Sequence, residues 1–288
     1  MTLSLPRPSD AARALLVRRV RAVFNDAARG ETPVLPSPDA LFAEGTPIRQ
    51  VHGDVVAMMV GGMSALLLQM LHPAALQGVL DHSDFRHDMA GRLRRTARFI
   101  ARTTYGPREE AEQAIARVNL IHQRIQGTLP DGRPYSATQP RVLAWVHLAE
   151  ATSFLAAYRR YADPEMSGAA QDSYFAQFAE VARRLGADPV PESRAEAAAL
   201  LTEMRGDLVG SEQAREVARF VLQGSRRTVG GAVQKLLGTA AIDLLPPFAA
   251  PMLGFSSGKA RRLPALAATQ AMAETVRWAF AGVHRAGT

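Results

Sequence analysis

A chain of 288 residues that is 47% apolar can bury a sizeable core as one large domain or two small ones, and the dominance of Ala and Leu over β-branched residues points to helices. It contains no cysteine, which excludes disulfides, iron–sulfur clusters and thiolate-ligated haem. The formal charge of +7 comes largely from arginines scattered along helical segments with no recognisable nucleic-acid motif, so no nucleic-acid partner is expected.

The N-terminal stretch MTLSLPRPSDAARALLVRRVRAVF has no apolar core ahead of a small-residue cleavage site, and the longest apolar stretches elsewhere are interrupted by Pro, Gly, Asp or His. The expectation is a soluble cytoplasmic protein, with peripheral membrane contact left open. Asp10 to Phe24 reads as a helix capped by Ser9. A loop rich in Pro and Gly leads to IRQVHGDVVAMMVGGMSALLLQML, whose apolar residues surround the helix and predict a central position. Pro73 ends or kinks it, because the ring removes a donor and disfavours helical geometry at His72. The next helix begins near Asp88 and stops at Gly106. Pro107, with Glu109, Glu110 and Glu112 behind it, opens another that closes at Gly127.

Asp131-Gly132 is predicted to form the tip of a small hairpin. Pro140 starts a helix through RVLAWVHLAEATSFLAAYRRY, ended by Asp163-Pro164. Further helices follow, broken by GADPVPES at 186–193 and by LLPPFAAPMLGF at 244–255; the latter reads as an apolar entrance, a membrane contact or a buried loop packed by its prolines. There is no repeat, low-complexity tract or long linker, so the chain is expected to be a single all-α domain over 1–288 with at most a small β-hairpin. Nothing in the pattern sets an oligomeric state.

Helical periodicity gathers the polar groups that could carry chemistry. Arg92, Arg95, Thr96, Phe99 and Thr103 fall on one face of their helix, Arg94, Arg98 and Arg102 on a solvated one, and Leu93, Ala97 and Ile100 on the apolar side. Either this is a basic surface helix, or Arg92 and Arg95, beside Thr96 and Phe99, face an anionic or polarisable group such as a cofactor propionate or bound oxygen. His122 lies on a stripe with Ile115, Val118 and Ile125, as a core residue bonded to a carbonyl or as a metal or haem ligand. His147 shares a face with Leu143, Val146, Glu150, Phe154 and Tyr158, and Glu150, three positions on, can hold its imidazole. That pair is a structural contact or an oriented ligand. Neither histidine belongs to an HExxH or Glu-x-x-His motif, so zinc and di-iron readings carry little weight.

Taken in order, LLLQMLHPAALQGVLDHSDF, RLRRTARFIARTTYG, VNLIHQRIQG, GRPYSATQPRVLAWVHLAEATSFLAAYRRY and LLPPFAAPM resemble the oxygenase family that includes the mycophenolate-pathway oxygenase MpaB and, more distantly, latex-clearing protein, over roughly residues 50 to 255. The resemblance implies an all-helical domain holding haem b, a histidine as proximal iron ligand, an open or weakly occupied distal site for oxygen, and oxidative cleavage of isoprenoid double bonds. His122 corresponds to the ligand histidine, with His147 as the alternative. Arg92, Arg95 and Thr96 match the Arg-x-x-Lys-Thr motif of the rubber-cleaving branch and are expected near the distal face or the propionates. Arg95 replaces the lysine, and a guanidinium does not ligate iron as a neutral amine can, so a lysine-capped resting state is not expected.

That branch also uses an acidic base near the haem, whereas Val55 to Leu80 contains no Asp or Glu. His72 and His82 are the candidates for proton transfer there, set against helix-capping or core hydrogen bonding. The expected function is therefore a haem b-dependent oxygenase acting with oxygen on an apolar, isoprenoid-type substrate. The alternatives are a non-catalytic haem-binding or sensing protein and a metal-free carrier of apolar ligands.

Overall fold

The computed structural model describes residues 8–25, 30–84, 88–222, 229–256 and 263–284, and the architecture is all-α apart from one two-stranded hairpin. The first helix, α1, runs Pro8–Phe24, so Ser9 lies inside its first turn instead of capping it; proline is well tolerated at that end because its missing N–H has no intrahelical partner to lose.

The predicted central helix is two helices, α2 (Pro47–Gly53) and α3 (Val55–Gln69), bent by 88° at Asp54. Asp54 leaves helical geometry (φ −82°, ψ 108°), and its Oδ1 accepts the Ala57 N–H at 2.8 Å, capping α3. Its Oδ2 accepts from Arg277 at 2.8 Å, on the last helix, α13 (Leu263–His284). Asp54→Ala, which removes a cap and leaves a guanidinium unpaired, is expected to cost about 2 kcal/mol in urea unfolding, and Asp54→Ser, which keeps a capping oxygen, about half of that.

The apolar run of α3 then explains its place. Val56, Val60, Leu67 and Leu68 are fully or nearly fully buried, and the helix packs most extensively on α7 (Pro140–Tyr161), with α11 (Val229–Leu244) and α13 on other sides. Trp145 of α7 donates its indole N–H to the Gln69 carbonyl at 3.4 Å, where α3 ends. No single described helix is long and apolar enough to cross a membrane, and the sharply bent α2–α3 pair, which passes on length and composition alone, lies largely in the core.

His72 is extended, as the residue before a proline must be, and Pro73 opens α4 (Pro73–His82). Asp88 caps α5 (Met89–Tyr105) through the Gly91 N–H at 2.8 Å. The stop at Gly106 falls where expected but uses no left-handed glycine: φ is −67°, and Pro107 enforces the extended backbone instead.

Helix α6 (Arg108–His122) ends five residues before Gly127, because Gln126–Thr128 (β1) is recruited into antiparallel pairing with Pro134–Ser136 (β2). Gly132 at the tip takes φ +87°. Tyr135 lies beneath the hairpin and donates to Asp81 Oδ2 at 2.5 Å, tying it to α4. A Cβ at Gly127 would stand 2.8 Å from the Tyr135 ring.

The remaining helices close the core: α8 (Gly168–Arg184), α9 (Arg194–Glu203) with a following 3₁₀ turn (Met204–Asp207), α10 (Glu212–Leu222) and α12 (Ala249–Met252). GADPVPES does separate α8 from α9. The segment at 244–255 folds inward: Leu245, Ala249 and Leu253 are buried, and Phe248 lies under the Arg205 guanidinium at 5.0 Å.

Candidate functional site

Because α7 is buried on nearly every side around Ala144, Trp145 and Leu148, His147 is only 6% exposed. Its ring meets Phe178 of α8 edge to face, with centroids 4.8 Å apart, and its Nε2 is buried without a partner. Burial, then the charge of Arg183, pushes its pKa down to about 3.

A second imidazole reaches the same phenyl ring from the end of α2. His52 is 8% exposed, with its ring 4.9 Å from Phe178 and also edge-on to Phe154 and Tyr174. Its Nδ1 is 2.8 Å from Thr104 Oγ1 of α5, while its Nε2 has no partner. Burial, then His147, lowers its pKa to about 3. The sequence reading missed His52. The available signal was an imidazole within a helix apolar all round, the same argument that singled out His72 and His82.

One turn beyond His147, Glu150 does not hold the imidazole as its spacing suggested. Its Oε1 takes a long 3.5 Å contact from the Gln69 amide, because a three-residue step turns the carboxylate towards α3 and α5 while the imidazole faces α8. Burial raises its pKa to about 7 against the pull of Gln69 and Arg92. Arg92 of α5 lies close enough to feel that carboxylate but makes no ion pair with it among the described residues. Its Nη1 is buried without a partner, and burial, then Arg95, lowers its pKa to about 10.

The remaining members of the Arg92 face separate. Thr103 is buried and bonds its own helix at the Phe99 and Ile100 carbonyls, whereas Arg95 and Thr96 are exposed. Arg95 pairs with the cap residue Asp88 at 3.2 Å, which draws it to the solvent edge. Arg98 is not simply solvated: it donates to the Thr32 carbonyl at 2.9 Å.

His122 closes α6 half-buried, with Ile115 buried behind it, its Nδ1 buried without a partner and its pKa lowered by burial. No hydrogen bond or ring contact joins it to His52 or His147 among the described residues. His72, half-buried before Pro73, likewise has an unpartnered Nδ1. Burial lowers its pKa, the charge of Asp207 opposes that, and Arg141 and Arg133 add to it. His82 is exposed and engaged: its Nε2 is 3.1 Å from the Gln126 carbonyl, which only accepts, so that nitrogen carries the proton.

Among the described residues four histidines, His52, His72, His122 and His147, thus keep a buried ring nitrogen free of protein partners. Among the described residues no group of three or more His, Cys, Asp or Glu side chains is disposed to hold a metal ion. A metal held here would rest on one or two imidazoles, which is what a haem iron takes from its protein. A surface cleft of about 360 Å³, lined by Thr32 to Pro38, Arg98, Arg102, Pro107 and Glu110, contains neither a histidine nor Arg92.

The buried ionisable groups set opposite pH dependences. Below pH 6.5 the unfolded chain protonates the counterparts of His52 and His147, which the folded state keeps neutral down to about pH 3, so each removes about 1.4 kcal/mol of stability per pH unit of acidification. Glu150 acts the other way: from about pH 4.5 to about 7 the folded state holds a proton that the unfolded chain has lost, and stability falls as pH rises. Glu150→Gln is therefore expected to steepen the rise in stability between pH 4.5 and 6.5 by about 1.4 kcal/mol per unit, and His147→Phe to flatten it by as much. Urea titrations at four pH values would measure both slopes.

The described residues thus combine an all-helical, apolar interior with buried imidazole nitrogens that have no protein partner. Residues 49–278 match the family model described as "ER-bound oxygenase mpaB/B'/Rubber oxygenase, catalytic domain", and the chain belongs to that family. The matched span begins in α2 and ends in α13, so it includes both partners of the Asp54–Arg277 pair. No curated protein and no solved structure gave a match to the chain.

Proposed function

We propose that this oxygenase-family domain is a haem b-dependent oxygenase that uses molecular oxygen on an apolar, isoprenoid-type alkene. The observation that carries the reading is the set of buried imidazole nitrogens without partners, in a chain matched over residues 49–278 by an oxygenase family. Left unmade, each such group costs about 1–3 kcal/mol, a cost that a ligand relieves.

In this reading His122 holds the iron, as its position in VNLIHQRIQG suggests, and the aliphatic side chains of its stripe suit an apolar porphyrin face. Bound haem would supply the redox chemistry of oxygen activation. Arg92 provides an inward-facing positive charge, while Arg95 and Thr96, on the exposed side of α5, suit the solvent-side carboxylates of the cofactor. His72 has a free ring nitrogen for proton transfer; His82, engaged by the hairpin, positions β1. Glu150, with its pKa near neutrality, can hold or release a proton beside Arg92.

Absorption of the protein purified after expression with a haem precursor tests the cofactor: a Soret band at one haem per chain is expected. Oxygen uptake with squalene then tests the reaction, and uptake no greater than that of free haemin would leave a haem-binding protein without oxygenase activity.

A further inference from the structure

Arg98 and Arg102 stand one helical turn apart on α5, on the face whose sequence reads as solvated. In the folded chain both are half-buried, because they share the cleft of about 360 Å³ with the segment 32–38. That segment is pinned along its length. Arg98 Nη1 donates to the Thr32 carbonyl at 2.9 Å, the Ser37 N–H donates to the Tyr105 carbonyl at 2.8 Å, and the Arg108 N–H donates to the Asp39 carbonyl at 2.8 Å. Pro33, Pro36 and Pro38 fix φ between those ties, so the cleft is shaped before anything enters and little chain entropy is lost on binding.

The cations of the cleft are left without a counter-charge. Among the described residues Arg98 meets only the neutral Thr32 carbonyl and Asn25 carboxamide, and nothing engages the Arg102 guanidinium, whose Nε is buried without a partner. Glu110 lines the same cleft, yet among the described residues it pairs with neither arginine. An arginine present only to cover α5 would close on that carboxylate, since an unpartnered, partly desolvated guanidinium carries a cost that an ion pair offsets. Much of the remaining lining is apolar: Pro33, Val34, Leu35 and Pro36 follow one another, and Leu35, 71% exposed, leaves surface for a ligand to cover.

We propose that this cleft is a binding site for a small organic acid, an apolar chain ending in one carboxylate, with the carboxylate on Arg102 and Arg98 and the chain along residues 33–36. Arg98 keeps Nη2 and Nε to donate while Nη1 holds the segment. The volume is at the lower end for small-molecule sites and suits a chain of several carbons. Glu110 repels a second negative charge, which favours a monocarboxylate over a phosphate. With neither a histidine nor Arg92 in its lining, the site is separate from the candidate iron ligands and stands whether or not the domain holds haem.

Isothermal titration of the full chain with octanoate tests the site. One equivalent bound with a Kd below about 1 mM is expected, and at least tenfold weaker binding of octan-1-ol, which lacks the charge, of acetate, which lacks the chain, and of octyl phosphate, which carries more charge. Arg102→Gln is expected to weaken octanoate at least tenfold. Leu35→Asp, at an exposed position, sets a carboxylate in the lining and is expected to do the same. Circular dichroism first shows each variant to be folded; if Arg102→Gln is not, Leu35→Asp decides. No octanoate binding up to about 10 mM overturns the site, and so does binding of any of the three comparators as tight as that of octanoate. Equal octanoate affinity in the wild type and the folded variants also overturns it, because the acid is then held elsewhere in the protein.

Discussion

His122→Ala is expected to yield a folded helical protein that takes up little haem, less than a tenth of the wild-type content after reconstitution and desalting. His147→Ala is expected to keep haem and to lose stability or activity. His122 sits at a helix end beside aliphatic side chains, with no protein group competing for its Nδ1. His147 is packed on all sides, so its removal opens a cavity beside Phe178, at a cost of about 2–4 kcal/mol. If folded His122→Ala retains stoichiometric haem and folded His147→Ala loses it, the ligand belongs to α7.

The second large effect lies at the contact between α3 and α7. A Cβ at Gly61 would stand 2.9 Å from Phe154 Cδ1 and 3.0 Å from both the Phe154 Cα and the Ser153 carbonyl oxygen. Two of those atoms belong to backbone, so no rotamer change relieves the clash. Gly61→Leu is expected to cost at least about 3 kcal/mol, beyond the usual penalty of overpacking because two helices must separate. Its neighbour provides the control. At Gly62 the nearest atom is 3.7 Å away, an ordinary contact, and Gly62→Ala is expected to stabilise the protein by up to about 1 kcal/mol through helix propensity alone. Opposite signs at adjacent glycines in chemical unfolding would show that approach distance, and not flexibility, fixes Gly61.

Helical periodicity made most of the fold readable, because 3.6-residue patterning and proline positions act locally. The break at Asp54 was not readable from that pattern: both flanking segments are apolar all round, and what ends α2 is a cap whose second oxygen engages Arg277. The early end of α6 escaped for a related reason, since Gln126 to Thr128 are drawn off by partners across the hairpin.

Residue type and face singled out Arg92, His122, His147 and Glu150 as candidates, but did not say what each one touches. Glu150 turned to Gln69 and Arg95 to Asp88, choices set by rotations of a fraction of a turn and by neighbours distant in sequence or at a cap. His52 was overlooked because one imidazole in an apolar run has no spacing partner; its significance comes from Phe178 and Thr104, which only the tertiary structure brings to it.

The carboxylate that starts α3 and the arginine that completes its pairing are separated by 223 positions. During synthesis the most apolar helix of the protein therefore leaves the ribosome long before α11 and α13, which cover it, have been made. For most of translation its surface is available to other chains, and assembly has to wait for contacts that close large loops. A chain released before α13 keeps every candidate site residue and yet lacks the seal on its core. Expression as a C-terminally shortened fragment is accordingly the condition under which this protein is expected to aggregate, and yield of soluble protein is governed by the last helix as much as by the first.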